Sequence, residues 1–266
     1  MSPRAPQPEE IYAQTEEEGR RRLQRPLTEL VATSLAAGFD IVVGVTLLGI
    51  IAAALHEHFG KNPAHAFASI GFGTAFVFLI VGRGELFTEN FLVPLAGLER
   101  NNRRSWLKLG ELWLVSPVFN ILGAFLVILI LTTHGVLPRG AGTPIMDAAQ
   151  KIHSNHALAL FLNAVFAGAL ITAMTWFVEG HQESQGIRVT VAWIVGAILA
   201  LAGLNHVIVV TIELLYAHRF GADIPLMFIL GNFGLATLGN MIGGIGLVTL
   251  TRFTQARAAG NASSSS

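Results

Sequence analysis

Two short polar clusters interrupt long apolar runs and carry the side chains best suited to chemistry. The first, GRGELFTEN (residues 82–90), places Arg83, Glu85 and Glu89 between two apolar stretches. The second places Asn205 and His206 within ILALAGLNHVIVV (residues 198–210). An imidazole in an apolar stretch can donate a hydrogen bond to an anion or carry a proton, because its unperturbed pKa lies near neutrality. The histidine therefore indicates an anion and proton pathway.

Each cluster also has a structural interpretation. A buried histidine commonly makes one hydrogen bond that holds the fold, and an ion pair between Arg83 and Glu85 or Glu89 would fix the shape of a loop. For the three charges we weigh loop-shaping and pathway roles equally. For His206 we favour function, because its cluster lies opposite a second broken segment in an internal repeat.

The elements that must position these residues are membrane helices. The 266-residue chain is 52% hydrophobic and 13% charged, whereas soluble domains carry about 25% charged residues. Cysteine is absent, which excludes disulfides and thiolate sites, and the zero net charge gives no indication of nucleic acid binding. Spanning helices need about 20 apolar residues. Six stretches qualify: 27–55, 65–93, 107–133, 157–179, 188–217 and 225–251.

The distribution of Lys and Arg predicts that both termini are cytoplasmic. The segments predicted to lie on the same side of the membrane as the N-terminus hold twelve basic residues: Arg4, Arg20, Arg21, Arg22, Arg25, Arg100, Arg103, Arg104, Lys108, Arg188, Arg252 and Arg257. The opposite side holds four: Lys61, Arg139, Lys151 and Arg219. We thus predict a polar cytoplasmic arm (residues 1–26), without a signal peptide, a six-helix domain (27–251) and a disordered cytoplasmic tail (252–266).

An internal repeat of 120 residues relates the two polar clusters. It aligns NILG (residues 120–123) with NMIG (residues 240–243), and RGELFTEN (83–90) with GLNHVIVV (203–210). Three segments per half place the halves in opposite orientations. Interrupted helices at matching positions of an inverted 3+3 repeat indicate a transport site near the membrane midplane. The glycines at the breaks allow non-helical backbone there.

Three motifs in order resemble the formate/nitrite transporter family. They are ELFTEN (residues 85–90) in a broken second segment, GLNHVIV (203–209) in a broken fifth and GNMIGG (239–244) in the sixth. The similarity covers residues 28–250 and is closest to a less characterised inner-membrane branch with an LFTEN-like loop. The resemblance implies an all-α polytopic fold, an aquaporin-like protomer and a homopentamer. It also implies passage of small monovalent anions such as formate and nitrite, with a proton.

By position, the resemblance assigns pore or substrate contacts to nine residues. They are the central His206 and its neighbour Asn205, the loop residues Leu86, Phe87 and Thr88, the apolar constrictions Phe72, Phe76 and Leu199, and Thr172 in the fourth segment. The constrictions would block hydrated ions and favour a neutral, protonated permeant.

The chain departs from the family pattern at several positions. Asn205 replaces a frequently acidic residue, Val210 replaces an asparagine, and Thr172 replaces a pore-facing asparagine. The family's vestibule lysine has no obvious counterpart, with His156 or Lys151 as substitutes. These changes affect the expected substrate more than the fold.

Other functions stay open at this point. The alternatives are a neutral-solute channel of the aquaporin type, although neither break contains Asn-Pro-Ala, and a membrane scaffold without transport. We do not expect an enzyme, because Gly-x-Ser-x-Gly and His-Glu-x-x-His motifs are absent. We expect no metal or other cofactor. The sequence does not decide the roles of Asp40 and Glu213.

Overall fold

The computed structural model describes residues 5–263, and every regular element in that range is helical. In chain order the helices are α1 (Pro8–Leu23), α2 (Leu27–Phe59), α3 (Lys61–Phe72), α4 (Thr74–Gly82), a 3-10 helix (Phe87–Phe91), α5 (Val93–Ala96), α6 (Arg103–Leu131), α7 (Gly142–His153), α8 (Ala157–Glu179), α9 (Gln185–Leu201), α10 (Val207–Arg219), α11 (Leu226–Met241), a π-helical segment (Ile242–Thr249) and α12 (Leu250–Ser263). The all-α class is confirmed.

Five helical stretches within the described chain are long and apolar enough to cross a membrane. They are Leu27–Phe59, Lys61–Gly82, Arg103–Leu131, Ala157–Glu179 and Leu226–Asn261, and the 17-residue α9 is a shorter apolar helix. Many of their large apolar side chains are exposed on the outer surface. In water such a surface would be unfavourable, whereas a lipid environment accommodates it.

Both polar clusters lie where a helix ends inside the molecule. α4 ends at Gly82, and Arg83 adopts the left-handed conformation with φ 54°. The sequence interpretation gave the flexible position to the glycines, but Gly84 has no positive φ and instead lies in a tight contact, since a Cβ there would be 2.9 Å from Cδ1 of Leu79 and 3.2 Å from Cβ of Ala37. In the second cluster α9 ends before Gly203, which has φ 59°, and α10 begins after His206.

Two pairs of long helices pack with backbones in close contact. A Cβ atom at Gly38 in α2 would lie 2.0 Å from the carbonyl oxygen of Asn120 in α6. A Cβ atom at Gly168 in α8 would lie 2.1 Å from the carbonyl oxygen of Asn240 in α11. Small residues at these contacts let membrane helices approach closely. Each pair thereby brings an asparagine to the centre of the molecule.

The N-terminal arm is a docked helix rather than a solvated one. α1 starts with a capping box between Gln7 and Glu10 and a proline at its first turn. Residues at every fourth position face inward, and α1 packs against α5, α8 and α12. The spacing of these buried residues places them on one face of the helix. They are Ile11, Thr15, Gly19 and Leu23.

Three further features differ from the sequence predictions. α7 is an amphipathic helix in a region expected to be a loop, with Ile145 and Ala149 buried against the α2 and α10 side. The π-helical segment interrupts the sixth apolar stretch. α12 is helical to Ser263, so the tail predicted to be disordered continues the helix over 252–263. Residues 264–266 and Arg4 of the arm lie outside the described part.

Candidate functional site

Two asparagines, 120 residues apart, hold the two breaks with equivalent hydrogen bonds. Oδ1 of Asn120 accepts from the Phe87 N–H at 3.0 Å, and its Nδ2 donates to the carbonyl oxygens of Ser34 and Glu85 at 2.8 and 2.9 Å. Both breaks contain backbone groups without helical partners, and such groups need hydrogen bonds at this depth. Asn120 supplies two of them to the first break, at Phe87 and Glu85, and its third bond reaches Ser34 in α2.

Asn240 does the same at the second break. Its Oδ1 accepts from the Val207 N–H at 2.9 Å, and its Nδ2 donates to the carbonyl oxygens of Ala164 and Asn205 at 2.7 and 3.1 Å. Asn120 and Asn240 are fully buried. The offset of 120 residues that aligns the motifs also relates the bonded loop residues 85 and 87 to 205 and 207.

The two breaks meet at His206 and Thr88. Nε2 of His206 lies 2.6 Å from Oγ1 of Thr88, and Nδ1 accepts the Val209 N–H at 3.2 Å. Because Nδ1 is an acceptor here, these bonds assign the ring proton of a neutral imidazole to Nε2, which donates to the threonine. The Thr88 hydroxyl proton has no acceptor among residues 5–263.

Apolar side chains surround this polar pair. Phe76 lies with its ring centroid 6.4 Å from that of His206, and Phe72 lies 6.2 Å from Phe76. The third expected constriction residue, Leu199, and the loop residues Leu86 and Phe87 are also buried. The structure therefore brings the predicted loop, the histidine and the apolar residues to one central region.

The centre is closed to solvent in this conformation. His206 and Thr88 are 0% exposed, so water does not reach the imidazole. A channel shut by apolar constrictions and a scaffold without transport would both show this closure. Closure at His206 thus does not discriminate between these two functions.

The family model of the formate/nitrite transporters matches residues 9–254. The chain belongs to the formate/nitrite transporter family. It is 24% identical over 249 residues to the inner membrane protein YfdC of Escherichia coli K12, which covers 93% of this chain and 78% of that protein. It is 28% identical over 255 residues to formate-nitrite transporter 3 of Toxoplasma gondii, covering 90% of this chain and 49% of the relative.

Solved structures of the family share the fold. An FNT family ion channel superposes with a TM-score of 0.72 at 20% identity, over 93% of this chain and 97% of that chain. A pentameric formate channel with formate bound gives 0.69 at 19% identity, over 82% and 92%. The resemblance stated from the motifs is confirmed, and the protein is a membrane protein of a channel and transporter family.

The positions at which this family member departs from the expected pattern have different environments. The amide of Asn205 is engaged: it donates to the Leu160 carbonyl oxygen at 3.1 Å and exchanges two hydrogen bonds with Asn232. Thr172 is fully buried, and its Oγ1 has no hydrogen-bond partner among the described residues. Val210 is 2% exposed. Thr172 is therefore the one of these three with a free polar atom.

Beyond the centre, on the side of α1, a cavity of about 430 Å³ is lined with charged residues. Arg22 of α1 projects into it with 10% of its side chain exposed. Its Nη1 lies 3.2 Å from Oε1 of Glu85 and 3.7 Å from Oε2 of Glu89, and its Nη2 lies 3.8 Å from Oε1 of Glu179. Arg25 is the second partner of Glu85.

Charges on α1 stabilise each other in this cavity. Burial acts to lower the pKa of Arg22, but the carboxylates of Glu85, Glu89, Glu18 and Glu179 together raise it, so the guanidinium stays charged. Burial acts to raise the pKa of Glu18, yet the guanidinium groups of α1 lower it to about 2. α1 therefore contributes an ionised network to the cavity.

Sequence reasoning missed the source of this network. Arg83, expected as a partner of the loop carboxylates, is exposed and has no ion pair within residues 5–263, whereas Arg22 and Arg25 of the arm fill that role. Glu179, at the end of the fourth apolar stretch, is 5% exposed and faces Arg22. Within the described range, no three His, Asp or Glu residues are placed to hold a metal ion.

Proposed function

We propose that this protein is a proton-linked channel or transporter for small monovalent anions such as formate or nitrite. The observation that carries the proposal is the hydrogen bond between His206 and Thr88, which joins the two broken segments in a closed apolar centre. Family membership supports the same class of permeant.

The central pair provides hydrogen-bond donors at the driest part of the pathway. Burying an anion between Phe72, Phe76 and Leu199 without partners would be costly. The Thr88 hydroxyl and, after exchange of its bond, the His206 Nε2–H can donate to a small oxyanion or its conjugate acid. Those constrictions favour the neutral acid, so permeation is linked to a proton.

Proton carriage by His206 itself has a defined structural requirement. Nδ1 accepts the Val209 N–H at the start of α10, so an imidazolium forms only when this hydrogen bond is released. A proton-carrying His206 would therefore change the first turn of α10 during transport.

We extend the proposal to architecture and location. The protomer has six membrane segments in an inverted 3+3 repeat, with the second broken at 83–92 and the fifth at 202–206, in an aquaporin-like arrangement. The equivalent bonds of Asn120 and Asn240 support the repeat. We include in the proposal a homopentamer in the bacterial inner membrane with both termini cytoplasmic, which the pentameric neighbour, the relative YfdC and the Lys and Arg distribution support.

Uptake of labelled formate and nitrite into proteoliposomes tests the function. We expect uptake by the unmodified protein, loss of most uptake in His206→Ala and Thr88→Val, and retention in Thr88→Ser, which keeps the hydroxyl. Thr88→Val is nearly isosteric, so a loss reflects the missing hydroxyl rather than a cavity.

The outcomes separate the proposed function from its alternatives. Uptake of glycerol or urea without uptake of either anion would indicate a neutral-solute channel of the aquaporin type. Absence of flux for all solutes, in protein whose melting temperature is intact, would indicate a scaffold. Unchanged anion flux in Thr88→Val and His206→Ala would contradict the role of the central pair.

A further inference from the structure

The cavity beside α1 is lined by equal numbers of acidic and basic side chains. Within the part of the chain that the structure describes, some of these side chains have several ion-pair partners, and others have none or share one. Its lining includes five carboxylates and five guanidinium groups. α1 contributes Glu17, Glu18, Arg21 and Arg22, and Arg25 follows directly after it. An ordinary anion vestibule would have an excess of positive charge. A vestibule with no excess positive charge binds an anion more readily when one of its carboxylates moves aside or takes up a proton.

The remaining charges come from three other elements. The loop after α4 contributes Arg83, Glu85 and Glu89, while α8 contributes Glu179 and α9 contributes Arg188. Glu85 is bonded by two arginines, and Glu179 accepts from Gln182 Nε2 at 2.9 Å. These carboxylates have hydrogen-bond donors that favour their ionised form.

Glu89 is the least compensated of the buried carboxylates that line the cavity. It is 3% exposed, and no residue in the described range donates a hydrogen bond to its carboxylate. Its one cation partner is Arg22 at 3.7 Å, which Glu85, Glu179 and Glu18 share. A buried charge with a shared partner and no hydrogen bond is unfavourable. Protonation of Glu89 removes this cost with the least loss of bonding.

Besides the exposed Arg83, which has no ion pair within residues 5–263, two guanidinium groups of the cavity have capacity for an additional acceptor. Nη1 of Arg22 lies 3.7 Å from Oε2 of Glu89. When Glu89 is neutral, this guanidinium nitrogen therefore loses one of its anionic partners. Nε of Arg188, which also lines the cavity, is buried without a hydrogen-bond partner in the described part of the chain. An unpaired buried donor of this kind needs an acceptor that the protein does not provide.

Building on the proposed function, we propose that this cavity is a loading site where an anion binds to Arg22 as a proton binds to Glu89. The ligand class is a small monovalent oxyanion, a carboxylate or nitrite, which can replace the Glu89 carboxylate at the guanidinium because its geometry is similar. Glu89 follows Thr88 directly in the chain, so the loading site adjoins the central pair.

The exchange is balanced in charge and in protons. Water on the cytoplasmic side supplies a proton to one Glu89 oxygen, and the anion takes the vacated side of Arg22, so the net charge of the cavity is unchanged. Glu89 then passes its proton to the anion. The O–H bond to Glu89 breaks and one to the permeant forms, which yields the neutral conjugate acid. As the acid leaves toward Thr88, Glu89 pairs again with Arg22.

Proton uptake on anion binding tests the proposal independently of transport. Formate and nitrite are titrated calorimetrically into the purified full-length protein in two buffers of different ionisation enthalpy, which reports the protons taken up per anion. We expect about one proton per anion in the unmodified protein and none in Glu89→Gln, which mimics the protonated side chain. Glu17→Gln is the matched control, because Glu17 is an exposed, unpaired carboxylate at the rim of the cavity.

Flux measurements complete the test. Formate uptake by the unmodified protein should rise by up to about tenfold per unit fall in pH, and Glu89→Gln, which has no proton to pass to the bound anion, should lose most of the uptake and of this dependence. Arg22→Lys, which keeps the charge but not the paired donors, should weaken formate binding. If Glu89→Gln keeps both the proton uptake and the pH dependence, the loading site is refuted while the channel stands. If the unmodified protein binds anions with a Glu89-dependent proton but transports none, the channel is refuted while the site stands.

Discussion

Replacing Asn240 by aspartate removes two hydrogen-bond donors, one to the second break and one to α8, without changing the volume of the side chain. The carboxylate still accepts the Val207 N–H, but it places an oxygen where Nδ2 donates to the carbonyl groups of Ala164 and Asn205, 2.7 and 3.1 Å away. Asn120→Asp has the same effect on the first break. Neither substitution opens a cavity, so the loss of hydrogen bonds determines the result.

The magnitude follows from the groups that lose a partner. The Asn205 carbonyl loses its side-chain donor at a cost of about 1–3 kcal/mol, whereas the Ala164 carbonyl lies within α8 and keeps its helical N–H partner. If the aspartate takes up a proton it restores one donor, and the lower half of this range applies. For a chain of this size 1 kcal/mol corresponds to about 2–4 °C in melting temperature, so we expect a fall of at least about 2 °C for an ionised aspartate.

Thermal unfolding of the detergent-solubilised protein, followed by tryptophan fluorescence, measures the effect. Asn163→Asp is the control, because its amide makes a single 3.4 Å bond at a partly exposed position, and we expect less than about 1 °C change. The variants at 120 and 240 should fall by similar amounts because their bonds are equivalent. A severe effect at one position with none at the other would refute the structural equivalence of the two breaks.

Two further predictions concern packing and pH. Gly243→Ala should lower the melting temperature by several degrees, because the new Cβ would lie 1.8 Å from the Val165 carbonyl oxygen. Gly246→Ala is the control: its Cβ would lie in open space on the same helix, so the melting temperature should stay unchanged or rise. The pKa of Glu18 is lowered in the folded state, to about 2, so its contribution is present above its unfolded pKa and is lost as pH falls toward 2. Limited proteolysis of α1 in the unmodified protein should therefore accelerate as the pH falls from 5 to 3. Glu18→Gln should show faster cleavage already at pH 7. Cleavage of the unmodified protein at the same rate at all pH values would contradict this.

Much of the architecture could be predicted from the sequence because hydrophobic length determines it. Spans near 27–55, 107–133 and 157–179 match α2, α6 and α8, since runs of apolar residues in a membrane form helices. The positions of both breaks were also predictable, because polar residues and glycine interrupt those runs at matching places in the repeat. The His206 and Thr88 contact followed from the resemblance rather than from residue spacing.

The charged cavity was not predictable in the same way. Arg22 and Glu85 are 63 residues apart, and nothing in local spacing indicates that α1 folds back against the loop. One signal was present: Ile11, Thr15, Gly19 and Leu23 form a stripe at intervals of four residues, which indicates a helix face with a packing partner. α7 carries a comparable stripe at Ile145 and Ala149.

The insertion of Arg22 and Arg25 has a consequence for how the chain can be divided. Composition indicates a boundary at residue 26, yet a shortened protein beginning there would lose both cations that neutralise Glu85. Its buried carboxylates would repel one another or take up protons, and the loop that carries Thr88 would relax with them. Residues 8–25 are thus a covalently attached counter-ion of the transmembrane domain, and deleting them removes charge compensation from its interior rather than trimming a tail.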